Sequence, residues 1–462
     1  MRLYLINPYN PLVSLVNVKA NRWNRFRVWK PLGLLVLAGL TGRDWETTII
    51  DENLGLPDYA SLPRPDLVGI TAFTSQAGRA YEVAAQFRAR GVPVVMGGIH
   101  ATMCQQEAAE HVDAIVTGEA EEVWPQVLSD VRDGRLKPAY AGGLVDMAKV
   151  PLPRHDLLSE GYAFGSLQTT RGCPLNCSFC SVSAFNGQRY RHRPIDQVIR
   201  EMRSIREKWV LVVDDNLIGT SAAHIARAKD LFRAMIQADL GKRWIGQVTV
   251  NVADDEELLA LAARAGCRGV FIGFESPTAQ GLAEVGKKFN LLPGGTFRKA
   301  RNFRQSVRRI QQHSILVVGS FIMGLDSDEP GIGRRIARAA SEYGVDILNA
   351  LFLTPLPGTR LWDKMNSQDR IAANDFPSDW RYYTLSFPTA HYRNFSWSDI
   401  LEEMNSCDRR FYSLWGIFRR VAGNLLRRRR PVLSLVSNLS YRNNARLTQK
   451  RYDELDLRRS CV

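Results

Sequence analysis

Three cysteines fall within eight residues, in the segment Thr169-Thr170-Arg171-Gly172-Cys173-Pro174-Leu175-Asn176-Cys177-Ser178-Phe179-Cys180. Their spacing is C-x3-C-x2-C. Three thiolates this close can hold three irons of a [4Fe-4S] cluster, whereas a cluster that only carries electrons or braces a fold normally has four cysteine ligands. The fourth iron would stay open. By the logic that separates catalytic from structural zinc sites, an open coordination position implies a bound substrate or cofactor. The competing reading is zinc, which would want a fourth ligand at close range; the nearest candidate is His192, twelve residues beyond Cys180. The remaining cysteines, at 104, 267, 407 and 461, are scattered. An odd, sparse set in a long chain does not form a disulfide framework.

A loop of this kind needs a scaffold. From Ser166 to about Arg370 short apolar runs alternate with helical patterns. Strands are expected at Gly165 to Thr169, Val210 to Val213, Trp244 to Val250, Val270 to Gly273, Leu316 to Met323 and Ile347 to Phe352. Helices are expected at Ile195 to Glu207, His224 to Ala238, Glu256 to Ala265, Ala300 to His313 and Gly333 to Tyr343. Six βα units make most of a barrel but fewer than the eight that close one, and catalytic groups belong on loops at the carboxyl ends of its strands. The cysteine loop follows the first of these strands.

Residues 1–140 alternate in the same way, with strands at Leu3 to Ile6, Thr47 to Asp51, Leu67 to Thr71, Val92 to Met96 and Ala114 to Thr117. Between and after them the pattern predicts helices at Gly33 to Leu40, Gly78 to Arg90, Gln105 to His111 and Glu121 to Val131. This is the pattern of a doubly wound, Rossmann-like parallel sheet. Such sheets bind ligands at the carboxyl ends of their strands, here Thr71-Ala72-Phe73-Thr74, Gly97-Gly98-Ile99-His100 and Gly118-Glu119. Prolines, glycines and a lack of periodicity make residues 141–165 an expected linker. The chain is thus expected to be α/β, with a Rossmann-like domain (1–140), a partial (β/α)6 barrel of the TIM type (166–372) and a mostly helical extension (373–462).

Placed after the first strand of a βα barrel, the segment resembles the radical S-adenosylmethionine (SAM) superfamily, through Cys173, Cys177, Cys180 and the aromatic Phe179 before the last cysteine. The resemblance implies that the three cysteines hold the cluster and that SAM chelates the unique iron. Reductive cleavage then gives a 5′-deoxyadenosyl radical that abstracts hydrogen from an unactivated position. It further implies SAM contacts from Phe179, which leans toward the adenine, and from Asp215 in Asp214-Asp215-Asn216, which stands where the family usually carries Gly-Gly-Glu. Capping of the following helix is the competing role for either Asp. Gly273, Glu275 and Ser276 at the fourth strand, with Gly319 and Phe321 at the fifth, complete the implied SAM set.

A doubly wound domain ahead of such a barrel resembles the cobalamin-binding branch of that superfamily. The likeness rests on Lys30-Pro31-Leu32-Gly33-Leu34, Ile50-Asp51-Glu52, Gly97 to Thr102 and Thr117 to Glu121. It implies cobalamin contacts from Thr71, Phe73, Gly97, Gly98, His100, Gly118 and Glu119. The Asp-x-His-x-x-Gly motif that supplies a lower axial histidine elsewhere is absent, so no ligand to cobalt comes from that motif. His100 could substitute, although a local hydrogen bond competes with that role.

The chain of 462 residues is 45% apolar and 23% charged, which excludes a disordered or fibrous protein, and its net charge is +14. From Asp408 to Val462, fourteen Lys or Arg against four acids leave +10, so most of the excess lies at the carboxyl end. There Phe411, Leu414, Trp415, Phe418, Val421 and Leu425 recur at helical spacing beside Arg419, Arg420 and Arg427 to Arg430. A basic amphipathic helix of this kind reads as lying on an anionic membrane. Packing on the barrel, with a solvated arginine face, is the alternative. The longest apolar runs fall short of the roughly 20 residues that span a bilayer, and no secretory signal opens the chain. A cytoplasmic protein is expected, peripheral to the inner face of the membrane.

The leading expectation is methylation of an unactivated carbon of a hydrophobic, lipid-like small molecule, with a [4Fe-4S] cluster, SAM and cobalamin as cofactors and a flavodoxin- or ferredoxin-type electron donor as partner. One alternative is a cobalamin-dependent cyclase or oxidative remodelling enzyme of the porphyrin-cyclase type. From another class, the alternative is an iron-sulfur sensing or binding protein docking on membrane or nucleic acid. Nucleic acid is disfavoured as a partner, because RNA-modifying methylthiotransferases of the superfamily carry three more cysteines in the amino-terminal domain, where this chain has only Cys104.

Overall fold

The computed structural model describes all residues except 11, 13–28, 159–160, 288–289, 291–300, 428 and 457–462. The chain forms two compact units. The first comprises Met1–Gly172, Ser181–Val213 and Asp375–Tyr383. Its six-stranded parallel sheet contains β1 (Arg2–Asn7), β2 (Glu46–Asp51), β3 (Leu67–Thr71), β4 (Val94–Gly97), β5 (Ala114–Thr117) and β6 (Ala139–Ala141), in the order β2-β1-β3-β4-β5-β6. Central β1 and β3 are continuous apolar runs because helices cover both faces of such a sheet. Those helices include α1 (Leu32–Leu40), α2 (Ala77–Arg88), α3 (Ile99–Met103), α4 (Gln105–His111) and α5 (Trp124–Arg132). Leu3, Leu5, Leu35, Trp45, Leu67, Val116 and Trp124 pack into one core cluster.

The expected linker is not free chain. Its first residue belongs to β6, and Val145, Met147 and Val150 pack on Val36 of α1 in a small core of their own. These residues bury apolar side chains without forming long regular elements, so periodicity could not reveal them. The same unit holds β7 (Phe164–Leu167), the short antiparallel pair β8 (Thr170–Arg171) and β9 (Arg191–His192), α6 (Ser181–Phe185), α7 (Ile195–Ser204) and β10 (Trp209–Val212). Strands β7 and β10 run parallel and are two of the six strands of the second sheet.

The second unit comprises Cys173–Cys180, Asp214–Asn374 and Thr384–Val462. It carries the other four strands, β11 (Arg243–Gln247), β12 (Cys267–Glu275), β13 (Leu316–Met323) and β14 (Ile347–Phe352), each parallel to the next. Helices α8 (Ala222–Ala238), α9 (Glu256–Arg264), α10 (Ala279–Glu284), α11 (Phe303–Gln312) and α12 (Ile332–Tyr343) alternate with them, and α13 (Arg360–Asn366) follows β14. Their starts carry side-chain caps where the sequence offers them: Ser221 accepts from the His224 N–H and Asp255 from the Leu258 N–H. The α/β fold with a Rossmann-like sheet and a partial barrel is as expected from sequence.

Three helices close the chain: α14 (Trp397–Phe411), α15 (Leu414–Leu426) and α16 (Pro431–Gln449). A reciprocal Ser396 and Asp399 capping box starts α14, which buries Trp397, Ile400, Leu401, Met404, Cys407 and Phe411. Among the described residues no helix is long and apolar enough to cross a membrane.

Candidate functional site

The cysteine loop is tied down through its backbone. Ser178 N–H donates to Val285 O (3.2 Å), Leu361 N–H to Ser178 O (3.0 Å), and the Arg360 guanidinium to Asn176 O (2.6 Å). Burial raises the Cys177 thiol to about 12, opposed by the positive charge of Lys287, and the charges of Cys180 and Cys173 act on it as well. Burial also raises Cys173, while a hydrogen bond from Asn216 works the other way and the Asp215 charge adds to the rise. Asp215 and Asn216 therefore stand at the cysteine loop, and capping is not their role, since Ser221 caps α8.

At the end of β12 the backbone leaves the regular ladder. The register against β13 shifts between Gly273 and Glu275, and Glu275 takes φ +65°. A non-glycine residue in that region is uncommon and is held by its surroundings. Here the restraint is a buried ion pair, Lys287 Nζ to Glu275 Oε1 at 2.8 Å. Burial works against the Lys287 ammonium, but the charge of Glu275, the nearby thiols and the hydrogen bond override it, so its pKa stands above the usual lysine range. Gly273 must be glycine, because a Cβ there would lie 2.1 Å from Glu275 Oε1 and 3.0 Å from Lys287 Nζ. Asn290 donates to Gly273 O (2.9 Å), and buried Ser276 receives the Thr278 N–H (3.2 Å).

The expected fifth-strand contacts differ in orientation. Phe321 is buried and stacks on Phe274 at 5.6 Å, and Phe274 packs on Phe303 of α11 and Tyr343 of α12. Gly319 leaves room for the same Phe274 ring, 3.1 Å from where its Cβ would be. Both residues thus face the helix layer, so only their backbone is offered on the other side, where Ser320 points. Phe179 is half-buried within the cysteine loop.

In the first unit, Thr71 is level with Gly97 in the β3 and β4 ladder, and Gly98 adopts φ +90° with its absent Cβ 2.7 Å from Thr71 Oγ1. Thr102 Oγ1 receives the Gly118 N–H (2.9 Å) and donates to Gly98 O (2.9 Å), joining the ends of β4 and β5. Thr71, Gly97, Gly98 and Gly118 form one edge, beside which the Phe73 ring is 64% exposed. Two expected members differ. Glu119 is consumed by Arg171 (3.0 Å), Arg191 and the Val145 N–H (2.9 Å), while Arg171 also holds Glu121. His100 is fully buried, with Nε2 2.7 Å from the Tyr81 hydroxyl.

Residues 167–330 match the radical SAM superfamily and residues 19–128 the B12 binding domain. The chain belongs to the B12-binding radical SAM superfamily. It is 29% identical over 411 residues to the bacteriochlorophyllide d C-12(1)-methyltransferase of Chlorobaculum tepidum, covering 86% of this chain and 85% of that one. Its identity to the hopanoid C-2 methylase of Rhodopseudomonas palustris is 25% over 355 residues, 75% of this chain and 66% of the other. The fold is shared with the radical SAM methyltransferase TsrM of Kitasatospora setae, at TM-score 0.62, 20% identity and coverage of 81% of this chain and 75% of that one.

As a radical SAM enzyme of the cobalamin-dependent methyltransferase family, the protein uses a [4Fe-4S] cluster, SAM and cobalamin, and needs a reductant. The residues present fit those groups. Among the described residues no three of His, Cys, Asp and Glu are close enough to hold one metal ion; in a cluster each cysteine takes a separate iron. Asn216 Oδ1 and Asn290 Oδ1 are buried and have no hydrogen-bond partner among the described residues. Orphaned acceptors of this kind call for an explanation, and a bound donor is one. Lys287, Asn290 and Asn216 escaped the sequence reading of this site. Nothing local marks them, because Lys287 and Asn290 reach β12 from a segment beyond α10.

Proposed function

We propose that this radical SAM enzyme moves a methyl group from SAM, by way of cobalamin, to an unactivated carbon of a hydrophobic small molecule. The observation that carries this reading is the extent of the match to the bacteriochlorophyllide d methyltransferase: 411 residues, 86% of this chain, which takes in both the B12 domain and the SAM barrel. The similarity to a hopanoid methylase points the same way for the substrate's polarity. Cluster and SAM together supply a hydrogen-abstracting radical, and cobalamin a transferable methyl group, so two SAM molecules are used in different ways.

In this reading Cys173, Cys177 and Cys180 hold the cluster. Phe179, Asp215, Glu275 and Ser276 contact SAM with their side chains, and Gly273, Gly319 and Phe321 through backbone. Lys287 keeps Glu275 aimed through their ion pair. Thr71, Phe73, Gly97, Gly98 and Gly118 seat the corrin, while His100 and Glu119 brace that edge from behind. Residues 1–140 and 166–372 are the corresponding domains, and a flavodoxin- or ferredoxin-type protein delivers the electron. The protein's own contribution is positional, since the cofactors carry the difficult chemistry.

The test is anaerobic incubation of the reconstituted enzyme with methyl-deuterated SAM, a reductant and extracted membrane lipids and pigments. Methyl transfer predicts a product heavier by a labelled methyl group, together with 5′-deoxyadenosine and S-adenosylhomocysteine. A changed product without label would move the reading to cyclisation or oxidative remodelling.

A further inference from the structure

Helices α15 and α16 pack on each other with polar residues turned inward beside Ile417 and most of their large apolar side chains outward. On α15 the buried positions include Asn424, whose amide donates to Asp346 Oδ1 (3.0 Å). On α16 they are Ser434 and Asn438, and the Asn438 amide donates to Asp346 O (3.0 Å). Arg420 also points in, to Asn438 Oδ1 (2.7 Å) and over the Phe411 ring at 3.9 Å. Of the expected arginine run, Arg429 and Arg430 are likewise committed, to Gln311 Oε1 (2.8 Å) and Ser314 O (3.0 Å); Arg428 lies outside the described residues.

The outward side is the reverse. Trp415 is 71% exposed, Phe418 61% and Leu426 84%, and Leu414, Leu425, Val432, Leu435 and Leu439 are exposed with them. At 100° per residue, Leu414, Trp415, Phe418, Leu425 and Leu426 share one arc of α15, away from Asn424 and Arg420. Trp415 and Phe418 stack on each other at 5.7 Å rather than on the body of the unit. Leaving this many large apolar side chains in contiguous exposure is unfavourable in water and marks an interaction surface.

Charge identifies the occupant. From Arg409 to Tyr452 the sequence has twelve Lys or Arg and no acid. Arg419 is exposed at the edge of the apolar arc, and Arg410, Arg427, Arg446 and Lys450 are exposed elsewhere on the closing helices or at their ends. Two such faces would repel one another, which argues against a second copy of this chain. A polyanion without apolar surface would leave Trp415, Phe418 and Leu426 in water. An anionic bilayer satisfies both components, taking the apolar side chains below its headgroups and the cations at their level. We propose that the α15 and α16 hairpin is a peripheral docking surface for an anionic lipid bilayer, on which both helices lie without crossing. This does not depend on the methyl-transfer reading, since docking is measured without turnover.

The experiment is co-sedimentation of the anaerobically purified, cluster-loaded full chain with vesicles of phosphatidylcholine alone or mixed with phosphatidylglycerol. Binding to the mixed vesicles only, weakening as salt rises, is expected. Trp415→Ser with Phe418→Ser should weaken it about tenfold or more, and Arg419→Gln or Arg427→Gln roughly fivefold each. All these positions are exposed, so iron content and circular dichroism should be unchanged. Equal binding to neutral vesicles, or binding to neither, overturns the proposal. So does a wild-type dimer that Trp415→Ser makes monomeric, or an oligonucleotide that displaces the vesicles and binds the Trp415 and Phe418 variant as well as wild type.

Discussion

At the end of β12 the chain presents charged and amide side chains: Glu275 against Lys287, Asn290 on the Gly273 carbonyl, with Asn216 at the Cys173 thiol. At the ends of β3, β4 and β5 it presents mostly backbone, since Gly97, Gly98 and Gly118 have nothing to project and the one carboxylate, Glu119, is spent on two arginines. In the function proposed above, the difference follows from what each edge would hold. A small, charged molecule such as SAM is recognised by point contacts. A wide macrocycle needs bare backbone that it can approach closely. Each edge should therefore fail in its own way.

The largest effect is expected at the cysteines. Cys177→Ala should remove the cluster, giving a chain with little iron and no detectable 5′-deoxyadenosine from SAM under reduction, while the corrin, seated elsewhere, is still taken up. Iron analysis, chromatography of the products and the corrin absorbance test this together. Loss of corrin along with the cluster would mean that the two edges do not act separately.

Next is the ion pair behind the SAM edge. Lys287→Met strands the Glu275 carboxylate in a buried site, at a cost of about 3–5 kcal/mol. Adding Glu275→Gln removes the unpaired charge and should return most of the stability in a urea titration, but SAM affinity should stay low in both variants. Full recovery of SAM binding in the double variant would reduce the pair to a packing element. A smaller loss, about 1–3 kcal/mol, is expected for Gly98→Ala, whose Cβ would meet Thr71 Oγ1 at 2.7 Å in a strained φ of +90°. Corrin content should fall while SAM cleavage persists, the mirror image of Cys177→Ala.

The two edges were also unequally legible in the sequence. The cysteines were plain because cluster ligands are local in the chain. The strand Leu67–Thr71 is legible to the residue because a buried parallel strand is a continuous apolar run, here ending at a threonine. Lys287 and Asn290 were not legible, since only tertiary folding brings them back to β12. Glu119 was read as a ligand because a carboxylate at a strand end looks unpaired until its partners, 52 and 72 residues away, are known. The aromatic stripe of α15 was evident too, but periodicity gives two faces without saying which is turned to the core. There the structure reversed the ordinary assignment.

His100 offers the finest test of the backbone edge. Its Nε2 lies 2.7 Å from the Tyr81 hydroxyl, and that hydroxyl donates its single proton to Glu107 Oε1 at 2.8 Å. Tyr81 must then accept from His100, which places a proton on Nε2. Nδ1 is buried and without a hydrogen-bond partner among the described residues, in a side chain of zero exposure, with the Trp380 ring 5.5 Å away. Burial pushes Glu107 upward, but its hydrogen bonds to His100, Tyr81 and Trp380 prevail and hold it below the usual glutamate range, which ties the Nε2 side of His100 into this cluster. His100→Gln should therefore cost about 1–3 kcal/mol of stability through its broken hydrogen bond, with no change in the nitrogen splitting of the cobalt electron paramagnetic resonance spectrum. If splitting from isotopically labelled histidine is present in the wild type and vanishes in the variant, the edge is more than backbone, because His100 must then leave Tyr81 to reach the metal.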